Sequence, residues 1–161
     1  MTDPSSSEST VAQSRASVVR LMVPTDANFR GDVFGGEILA EVDRVAFITA
    51  TRHARTSVVT ASFDRVDFIA PVHVGEVVEF DAMLTWVGRT SMEVWVRVHA
   101  EAASGGPPRQ VAEAFVTMVG LDGDGRPAHV PPLAVQTDEE RARFAEGERR
   151  MEARRRSRRA H

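Results

Sequence analysis

The stretch GEILAEVDRVAFITATR at residues 36–52 decides the fold of this 161-residue chain. Its apolar side chains recur at steps of three and four residues, as in an amphipathic α-helix that buries one face. The irregular stretch before it, residues 24–36, is rich in turn formers and ends in Gly35 and Gly36, where a helix can begin. The pattern therefore predicts one long central helix, from Gly36 to about Arg52.

Runs typical of β-strands lie on both sides of this helix. A short run precedes it at 15–22, and four long runs follow, at 57–69, 77–87, 91–100 and 110–121. The run 91–100 alternates between two sets of side chains, namely Met92, Val94, Val96 and Val98 against Glu93, Trp95, Arg97 and His99. One apolar helix followed by a meander of strands is an α+β arrangement, with an antiparallel sheet packed against the helix.

The two ends of the chain differ from this central part. Residues 1–14 are Ser-rich and contain no apolar run, so we expect a disordered tail rather than a signal peptide. Thr137 and Glu140 fit a helix capping box, and acids followed by arginines suit the helix dipole over 137–150 or beyond. We therefore divide the chain into a tail at 1–14, a domain at 15–133 and a charged helix with an arginine-rich tail at 134–161.

Missing residue types narrow the possible chemistry. Cysteine is absent and all 20 basic residues are arginine, which excludes thiolate nucleophiles, thiolate metal sites and lysine Schiff bases. The five histidines are scattered, so no metal site is expected. Acid–base chemistry must then come from Asp, Glu or His. The net charge of −3 and the absence of a membrane-length apolar run predict a soluble, cytoplasmic protein that binds neither nucleic acid nor membranes.

Asp43 lies on the apolar face of the predicted helix, near Leu39, Ala46, Phe47 and Ala50. A carboxylate on such a face is unfavourable unless it is paired or hydrogen-bonded. One interpretation places Asp43 at the edge of the buried stripe or in an ion pair with an arginine. The other makes it a general base or nucleophile in a partly dry cleft.

The helix start and the loop before it carry further polar groups. A helix N-terminus offers unpaired backbone N–H groups and a partial positive charge, and Gly35 and Gly36 would let a ligand approach them. Such a terminus can bind a carbonyl oxygen as it becomes an oxyanion. Asn28 could orient a water molecule, because its side chain both donates and accepts hydrogen bonds. Glycine pairs and asparagine are also ordinary turn formers.

The stretch PTDANFRGDVFGGEILAEVD at 24–43 resembles the signature of the hotdog-fold acyl-CoA thioesterases, which include bacterial enzymes and the brain-type acyl-CoA hydrolases of animals. The similarity continues through RHA at 52–54, VDFIAPVHVGEVV at 66–78, GRTSMEV at 88–94 and EAFVTMVGLDGDGRP at 113–127. The resemblance implies the hotdog fold, a long helix wrapped by an antiparallel sheet. It also implies a homodimer as the smallest working unit, often assembled as a hexamer of three dimers.

The resemblance also implies roles for single residues. The catalytic aspartate falls on Asp43 and the catalytic asparagine, from the opposite subunit, on Asn28, while the Gly36 amide would polarise the thioester carbonyl. Contacts with the acyl-CoA substrate would come from Gly35, Arg52, His53, Val59, Thr60, Arg89, Thr90 and Ser91. His53 is equally consistent with a helix C-cap, and GRTS at 88–91 with a plain hairpin turn. No cofactor is implied, because CoA is part of the substrate and product.

The predicted function is hydrolysis of acyl-CoA to a free fatty acid and CoA, a reaction of lipid metabolism. The main alternative is a non-catalytic hotdog protein that binds acyl-CoA for regulation. A hydratase or dehydratase of the same fold fits less well, because those enzymes usually use a histidine near the helix start and residues 1–52 contain none. A thioesterase for acyl carrier protein is a third possibility. Acyl chain length, hexamer or tetramer, and nucleotide regulation stay open.

The segment 149–159 contains seven arginines. One interpretation is a solvated, fraying chain end. The other is that the tail attracts the phosphates of CoA or an anionic surface.

Overall fold

A five-stranded antiparallel sheet wraps around one long helix in the computed structural model, which describes residues 8–160. The elements in chain order are β1 (Ser9–Thr10), α1 (Val11–Ser14), β2 (Ala16–Leu21), α2 (Gly35–Ala54), β3 (Ser57–Phe68), β4 (Glu76–Val87), β5 (Ser91–Ala102), β6 (Arg109–Leu121), β7 (Leu133–Ala134) and α3 (Asp138–Arg159). The large sheet has the strand order β2-β4-β5-β6-β3, so β2 and β3 are its edges. This is the α+β, helix-in-sheet architecture that the sequence predicted. Within residues 8–160, no helix combines the length and apolar character needed to cross a bilayer.

The buried face of α2 consists of small or branched side chains, which let the sheet curve closely around the helix. Its most deeply buried apolar residues, each with at most 1% of its surface exposed, are Val42, Val45, Ala46 and Ala50, and the polar residues Thr49 and His53 are fully buried with them. The helix ends at Ala54, because Arg55 adopts a left-handed φ of 53°. The prediction of a long central helix is confirmed, with a start at Gly35 and an end slightly later than expected.

The two faces of the sheet have different partners. The face towards α2 carries the predicted apolar set, which is fully buried and consists of Met92, Val94, Val96 and Val98. On the opposite face, the guanidinium groups of Arg97 and of Arg143 from α3 lie 4.8 and 5.0 Å from the centroid of the Trp95 ring. Arg150 of α3 lies 4.1 Å from the centroid of the Phe115 ring. Aromatic faces attract cations, so α3 can cover this face although it has few apolar residues.

Helix α3 is tied to the sheet at its middle. A Cβ atom at Gly147 would come 2.6 Å from the Cβ of Trp86, so only glycine allows this approach. Arg150 donates two hydrogen bonds, of 3.0 and 2.7 Å, to the carboxylate of Glu93. Glu93 is fully buried and also accepts a bond of 2.6 Å from the Thr85 hydroxyl. Helix α3 is therefore a packed part of the fold.

The first turn of α3 forms nearly as predicted. The Thr137 side chain accepts a hydrogen bond of 3.0 Å from the backbone N–H of Glu140. The Glu140 carboxylate accepts its own bond, of 2.7 Å, from the N–H of Gln136, whereas a capping box would use Thr137. Further along, Arg154 binds the carboxylate of Asp64 on β3. The interpretation of the arginine-rich segment as a solvated end is therefore wrong for Arg154 and for Arg150.

The predicted disordered tail at residues 1–14 is wrong for its second half, while residues 1–7 lie outside the described residues. Strand β1 pairs in parallel with β7, and Thr10 and Gln13 form a capping box around the short helix α1. Ser9, Val11 and Ser14 are buried. The prediction relied on the Ser-rich composition and overlooked that Val11 can be buried and that Thr10 and Gln13 have the spacing of a capping box.

His53, in the last turn of α2, is a core residue. It has no exposed surface, and its Nε2–H donates a hydrogen bond of 2.7 Å to the carbonyl oxygen of Pro131. Burial lowers the pKa of His53, the bond to Pro131 opposes that shift, and the charge of Arg55 adds to it. The prediction that His53 contacts CoA is wrong, because a ligand cannot reach it.

We expect Arg150→Met to destabilise the protein by about 3–5 kcal/mol, because it leaves the Glu93 carboxylate buried without a cation. Arg149→Met is a matched control, since Arg149 is an exposed arginine of the same helical turn. Urea denaturation measures the free energy of unfolding of both variants. Equal values would show that the docking of α3 does not depend on this ion pair.

The free energy of unfolding should fall as the pH drops below about 6.5, the pKa of an unfolded histidine. The reason is that His53 binds a proton in the unfolded chain at these pH values, whereas in the folded protein its burial disfavours the protonated form. The free energy of unfolding should then decrease by up to about 1.4 kcal/mol for each pH unit. His53→Gln should remove this slope, whereas His129→Gln, at an exposed histidine, should keep it. Urea denaturation between about pH 5 and pH 7 tests this expectation. An unchanged slope in His53→Gln would contradict it.

Candidate active site

Asp43 and Thr60 form the centre of the candidate site. Asp43 is half-buried on α2, and its Oδ1 accepts a hydrogen bond of 2.5 Å from the Thr60 hydroxyl on β3. The acids of α2 that pair with arginines are instead Glu37 and Glu41. The Glu41 carboxylate contacts Arg44 at 2.6 Å and Arg20 at 3.3 Å, and Glu37 contacts Arg20 at 3.3 Å. Asp43 is thus oriented by a neutral donor at the border of the buried stripe.

The register of β3 decides which of its side chains reach this centre. Thr60 pairs with Met118, a fully buried residue of the helix-facing side, and a bulge follows between Thr60 and Ser62. Val59 pairs with Val119 and points to the opposite face, because successive strand residues alternate. Within one chain, the structure therefore brings Thr60 to Asp43 and does not bring Val59 there.

The start of α2 is open to a ligand. Phe34 precedes the helix without a side-chain cap, and its carbonyl accepts from the N–H of Glu37 at 3.0 Å. A Cβ atom at Gly35 would lie 3.2 Å from the Phe68 ring, so Gly35 allows this ring to cover the helix start. At Gly36 a Cβ atom would meet nothing within 4 Å. Gly36 is exposed, and an N–H group in the first turn of a helix has no intrahelical partner, so the Gly36 amide is one to which a carbonyl oxygen could bind.

A cavity of about 320 Å³ lies beside this helix start. Its lining is mainly apolar and includes Gly35, Ile38, Phe68, Ile69, Val72 and Val111. Four aromatic side chains along α2 and β3 are each about half exposed, namely Phe34, Phe47, Phe63 and Phe68. An apolar surface of this kind suits an acyl chain or a second copy of the protein.

The loop before α2 holds Asn28 in a tight turn. The side-chain oxygen of Asn28 accepts a hydrogen bond of 2.9 Å from the N–H of Arg30. Its backbone N–H donates to the carbonyl of Asp32 at 2.8 Å. Since the side-chain oxygen is engaged in the turn, the NH₂ group is the part of Asn28 that can donate to a ligand.

Arg20 on β2 links this loop to α2 through ion pairs, and no pattern in the sequence predicted this link. Its guanidinium binds the buried carboxylate of Asp26 in the loop, and Glu37 and Glu41 on the helix at 3.3 Å each. These ion pairs allow the carboxylate of Glu41 to be buried. No local spacing signals Arg20 or Asp26, because the contacts join three separate elements.

The turn at 88–91 lies at the same end of the sheet as Thr60. Its closing hydrogen bond runs from the N–H of Gly88 to the carbonyl of Ser91 at 2.8 Å. The next residue, Met92, pairs with Met118, which pairs with Thr60, so two strand spacings, about 10 Å, separate the turn from Thr60. The structure thus places the predicted CoA-binding turn near the candidate centre.

The side chains around this turn face different cavities. Exposed Arg89 lines a cavity of about 510 Å³ together with His129 and Phe144, whereas Ser91 lines a separate groove under α3. Arg52 is an exposed residue whose guanidinium donates to the carbonyl of Arg15 at 2.8 Å. Arg52 therefore braces the segment before β2, away from this turn.

Comparison with known proteins identifies the family. A model of the thioesterase superfamily matches residues 30–104. An uncharacterised acyl-CoA thioester hydrolase of Bacillus subtilis is 41% identical over 117 residues, which cover 73% of this chain and 68% of that protein. The cytosolic acyl coenzyme A thioester hydrolase of Homo sapiens is 36% identical over 140 residues, and the chain spans 37% of its length.

Solved structures agree with this match. A hexameric acyl-CoA thioesterase in its apo form superimposes with a TM-score of 0.88 at 41% identity, across 93% of this chain and 96% of the other. The acyl-CoA hydrolase of Staphylococcus aureus, in complex with butyryl coenzyme A, coenzyme A and coenzyme A disulfide, has a TM-score of 0.87 at 34% identity, across 96% and 93%. Structures of its variants carry alanine in place of an aspartate, a threonine and an asparagine.

The predicted hotdog fold and the predicted enzyme class, a thioesterase, are both confirmed by these matches. The similarity is spread over the strands as well as the helix, since the structural matches cover more than nine-tenths of the chain. The chain therefore belongs to the thioesterase superfamily, among its hotdog-fold acyl-CoA thioester hydrolases.

Proposed function

We propose that this protein hydrolyses acyl-CoA to a free fatty acid and CoA, with Asp43 as general base or nucleophile. The observation that carries the proposal is the half-buried Asp43 carboxylate, held by the Thr60 hydroxyl at 2.5 Å. A hydroxyl orients a carboxylate without cancelling its charge, so the carboxylate stays able to accept a proton or attack a carbonyl carbon. The S. aureus hydrolase variants alter the same three residue types that we place in the site.

The geometry of α2 implies that one thioester uses groups from two copies of the chain. Gly36 and Asp43 are seven residues apart on one helix, which is about 10 Å along its axis. A carbonyl oxygen and the carbon under attack are only about 1.2 Å apart. We infer that the Gly36 amide and Asn28 of one subunit act together with Asp43 of the other. Gly36 would bind the developing oxyanion, and Asn28 would hold the water or the leaving sulfur.

Edge strand β3 supports the same assembly. It is twelve residues long, and among the described strands it pairs only with β6. Its side chains Val59, Phe63 and Phe68 are 41–55% exposed. A long apolar edge invites pairing with another strand. We propose that two chains join their β3 strands in a dimer. Three dimers would form the hexamer, the state of the apo thioesterase that this chain resembles.

The substrate would lie along the open features of the site. The acyl or pantetheine part fits the apolar cavity beside Gly35, and Thr60 lies where the thioester would be attacked. Arg89 offers a fork for phosphate, with a possible donor from Thr90 next to it in the chain, whereas Ser91 lines the separate groove under α3. CoA enters and leaves as part of substrate and product, so the reaction uses water and no separate cofactor. The name of the human relative supports a cytoplasmic location.

Replacing Asp43 tests the function directly. We expect Asp43→Asn to lower kcat by about 10²–10⁴ on acyl-CoA substrates, because a positioned base or nucleophile is lost. Release of free thiol from a panel of acyl-CoAs, from short to long, measures turnover and shows the chain-length preference. Asp124→Asn, at an exposed turn residue, is the matched control and should leave kcat unchanged.

Two results of this experiment would contradict the proposal. Undiminished turnover by Asp43→Asn would mean that another group performs the chemistry. Binding of acyl-CoA by the wild type without turnover of any member of the panel would favour the alternative, a regulatory acyl-CoA-binding protein.

The Thr60 hydroxyl should contribute to kcat by orienting Asp43. A hydrogen bond to a charged group contributes about 1.5–3 kcal/mol, so Thr60→Val should lower kcat roughly 10- to 100-fold. Thr60→Ser keeps the donor and should retain most of the activity. Steady-state kinetics of both variants, with melting temperatures as a check on folding, separate the hydroxyl from the shape of the side chain. Equal kcat values in the two variants would refute the orienting role.

A further inference from the structure

A small groove rich in arginine lies on the face of the sheet opposite Asp43. It has a volume of about 150 Å³ and lies between the last turns of α3 and strands β3 and β6. We call it the basic groove, and its polar lining residues are Ser62, Ser91, Thr117, Arg154, Arg155 and Arg158. Three guanidinium groups and three hydroxyls thus converge on one concave site. The hydroxyls of Ser62 and Thr117 donate to Asp64, so the arginines and Ser91 are the groups that can donate to an oxygen ligand.

The basic groove carries more positive than negative charge. Its lining in the described part of the chain contains three arginines and no acidic residue. The nearest carboxylate that binds one of them is Asp64, which pairs with Arg154 and also accepts bonds of 2.6 Å from Ser62 and from Thr117. Asp64 is therefore already occupied, and no carboxylate among residues 8–160 forms an ion pair with Arg155 or Arg158, whose charges can attract another anion.

Arg154 shows the effect of this crowding. Its Nη2 atom is buried without a hydrogen-bond acceptor among residues 8–160. Burial, and then repulsion by Arg158 and Arg155, lower the pKa of its guanidinium. Positive charges held together in a partly buried site are stabilised when an anion binds between them.

The size and position of the groove indicate which anion fits. A groove of about 150 Å³ has room for a group of the size of a phosphate. Ser91 belongs both to this groove and to the turn at 88–91, where we place the nucleotide end of CoA. The groove is concave and small, whereas a membrane surface would need a broad, flat basic patch.

We propose that the basic groove binds a phosphate group of a nucleotide, through Arg155 and Arg158 together with the Ser91 hydroxyl. The phosphate has two possible sources with the same chemistry, the nucleotide end of the acyl-CoA substrate or a free nucleotide. The first source rests on the proposed thioesterase function. Arg154 stays with Asp64 and serves to hold α3 in place.

The test compares two double variants of the full-length protein that remove the same charge. Arg155→Gln/Arg158→Gln removes two arginines of the groove, and Arg156→Gln/Arg159→Gln removes two exposed arginines that do not line it. For each, we would measure KM and kcat for acyl-CoA, and for the pantetheine thioester of the same acyl group, which has no nucleotide. Calorimetry with adenosine 3′,5′-bisphosphate as the probe measures phosphate binding without turnover.

We expect the groove variant to bind adenosine 3′,5′-bisphosphate roughly tenfold or more weakly than the control variant, because charge-assisted bonds are lost. If the phosphate belongs to CoA, KM for acyl-CoA rises by a similar factor, while the pantetheine thioester is unaffected. If it belongs to a free nucleotide, probe binding weakens and KM for acyl-CoA does not change.

Three outcomes would overturn the proposal. Probe binding that is unchanged in the groove variant would exclude a phosphate site. Equal weakening in both double variants would mean general charge attraction. If the groove variant loses binding to vesicles that contain an anionic phospholipid, but still binds adenosine 3′,5′-bisphosphate as the control variant does, the groove binds a membrane surface. Failure of the wild type to hydrolyse acyl-CoA would refute the proposed function alone, because calorimetry still tests the groove.

Discussion

The buried face of α2 constrains where every polar group of the candidate site can lie. Val45, Ala46 and Ala50 are fully enclosed by the sheet, so the rotation of the helix about its axis is set by packing. This rotation places Asp43 at the border of the buried stripe, where its carboxylate accepts a hydrogen bond from the Thr60 hydroxyl on β3. The same packing sets the position of the helix start, with Phe68 against Gly35 and open space at Gly36.

On the outer face of the sheet, arginine side chains neutralise a buried carboxylate and cover aromatic rings. Glu93 is fully buried there, and Arg150 both binds its carboxylate and stacks on Phe115. A planar guanidinium can form a forked hydrogen bond and cover an aromatic ring at the same time, which a lysine cannot do. Helix α3 can therefore pack with very few apolar residues, and its last turns bring further arginines to the basic groove.

The proposed roles of Gly36 and Asp43, taken with helical geometry, imply that one active site needs two copies of the chain. Two groups about 10 Å apart on one rigid helix cannot both touch one carbonyl group. The half-exposed aromatic side chains belong to α2, its N-cap and β3, and these two elements also carry Asp43 and Thr60. Assembly would thus bury apolar surface and bring a second helix start to each Asp43 in one step.

Sequence patterns predicted the helix at 36–52, the five strands of the large sheet and the family, because periodicity and motif spacing are local properties of the chain. They also singled out Asp43. That Thr60 orients Asp43 while Val59 points away follows only from the folded arrangement, since a bulge and the strand register are set by pairing with β6. The burial of His53, the packing of α3 and the bridge made by Arg20 likewise depend on residues far apart in sequence. These three features are stabilised by contacts that exist only after the chain has folded, so no local sequence pattern predicts them.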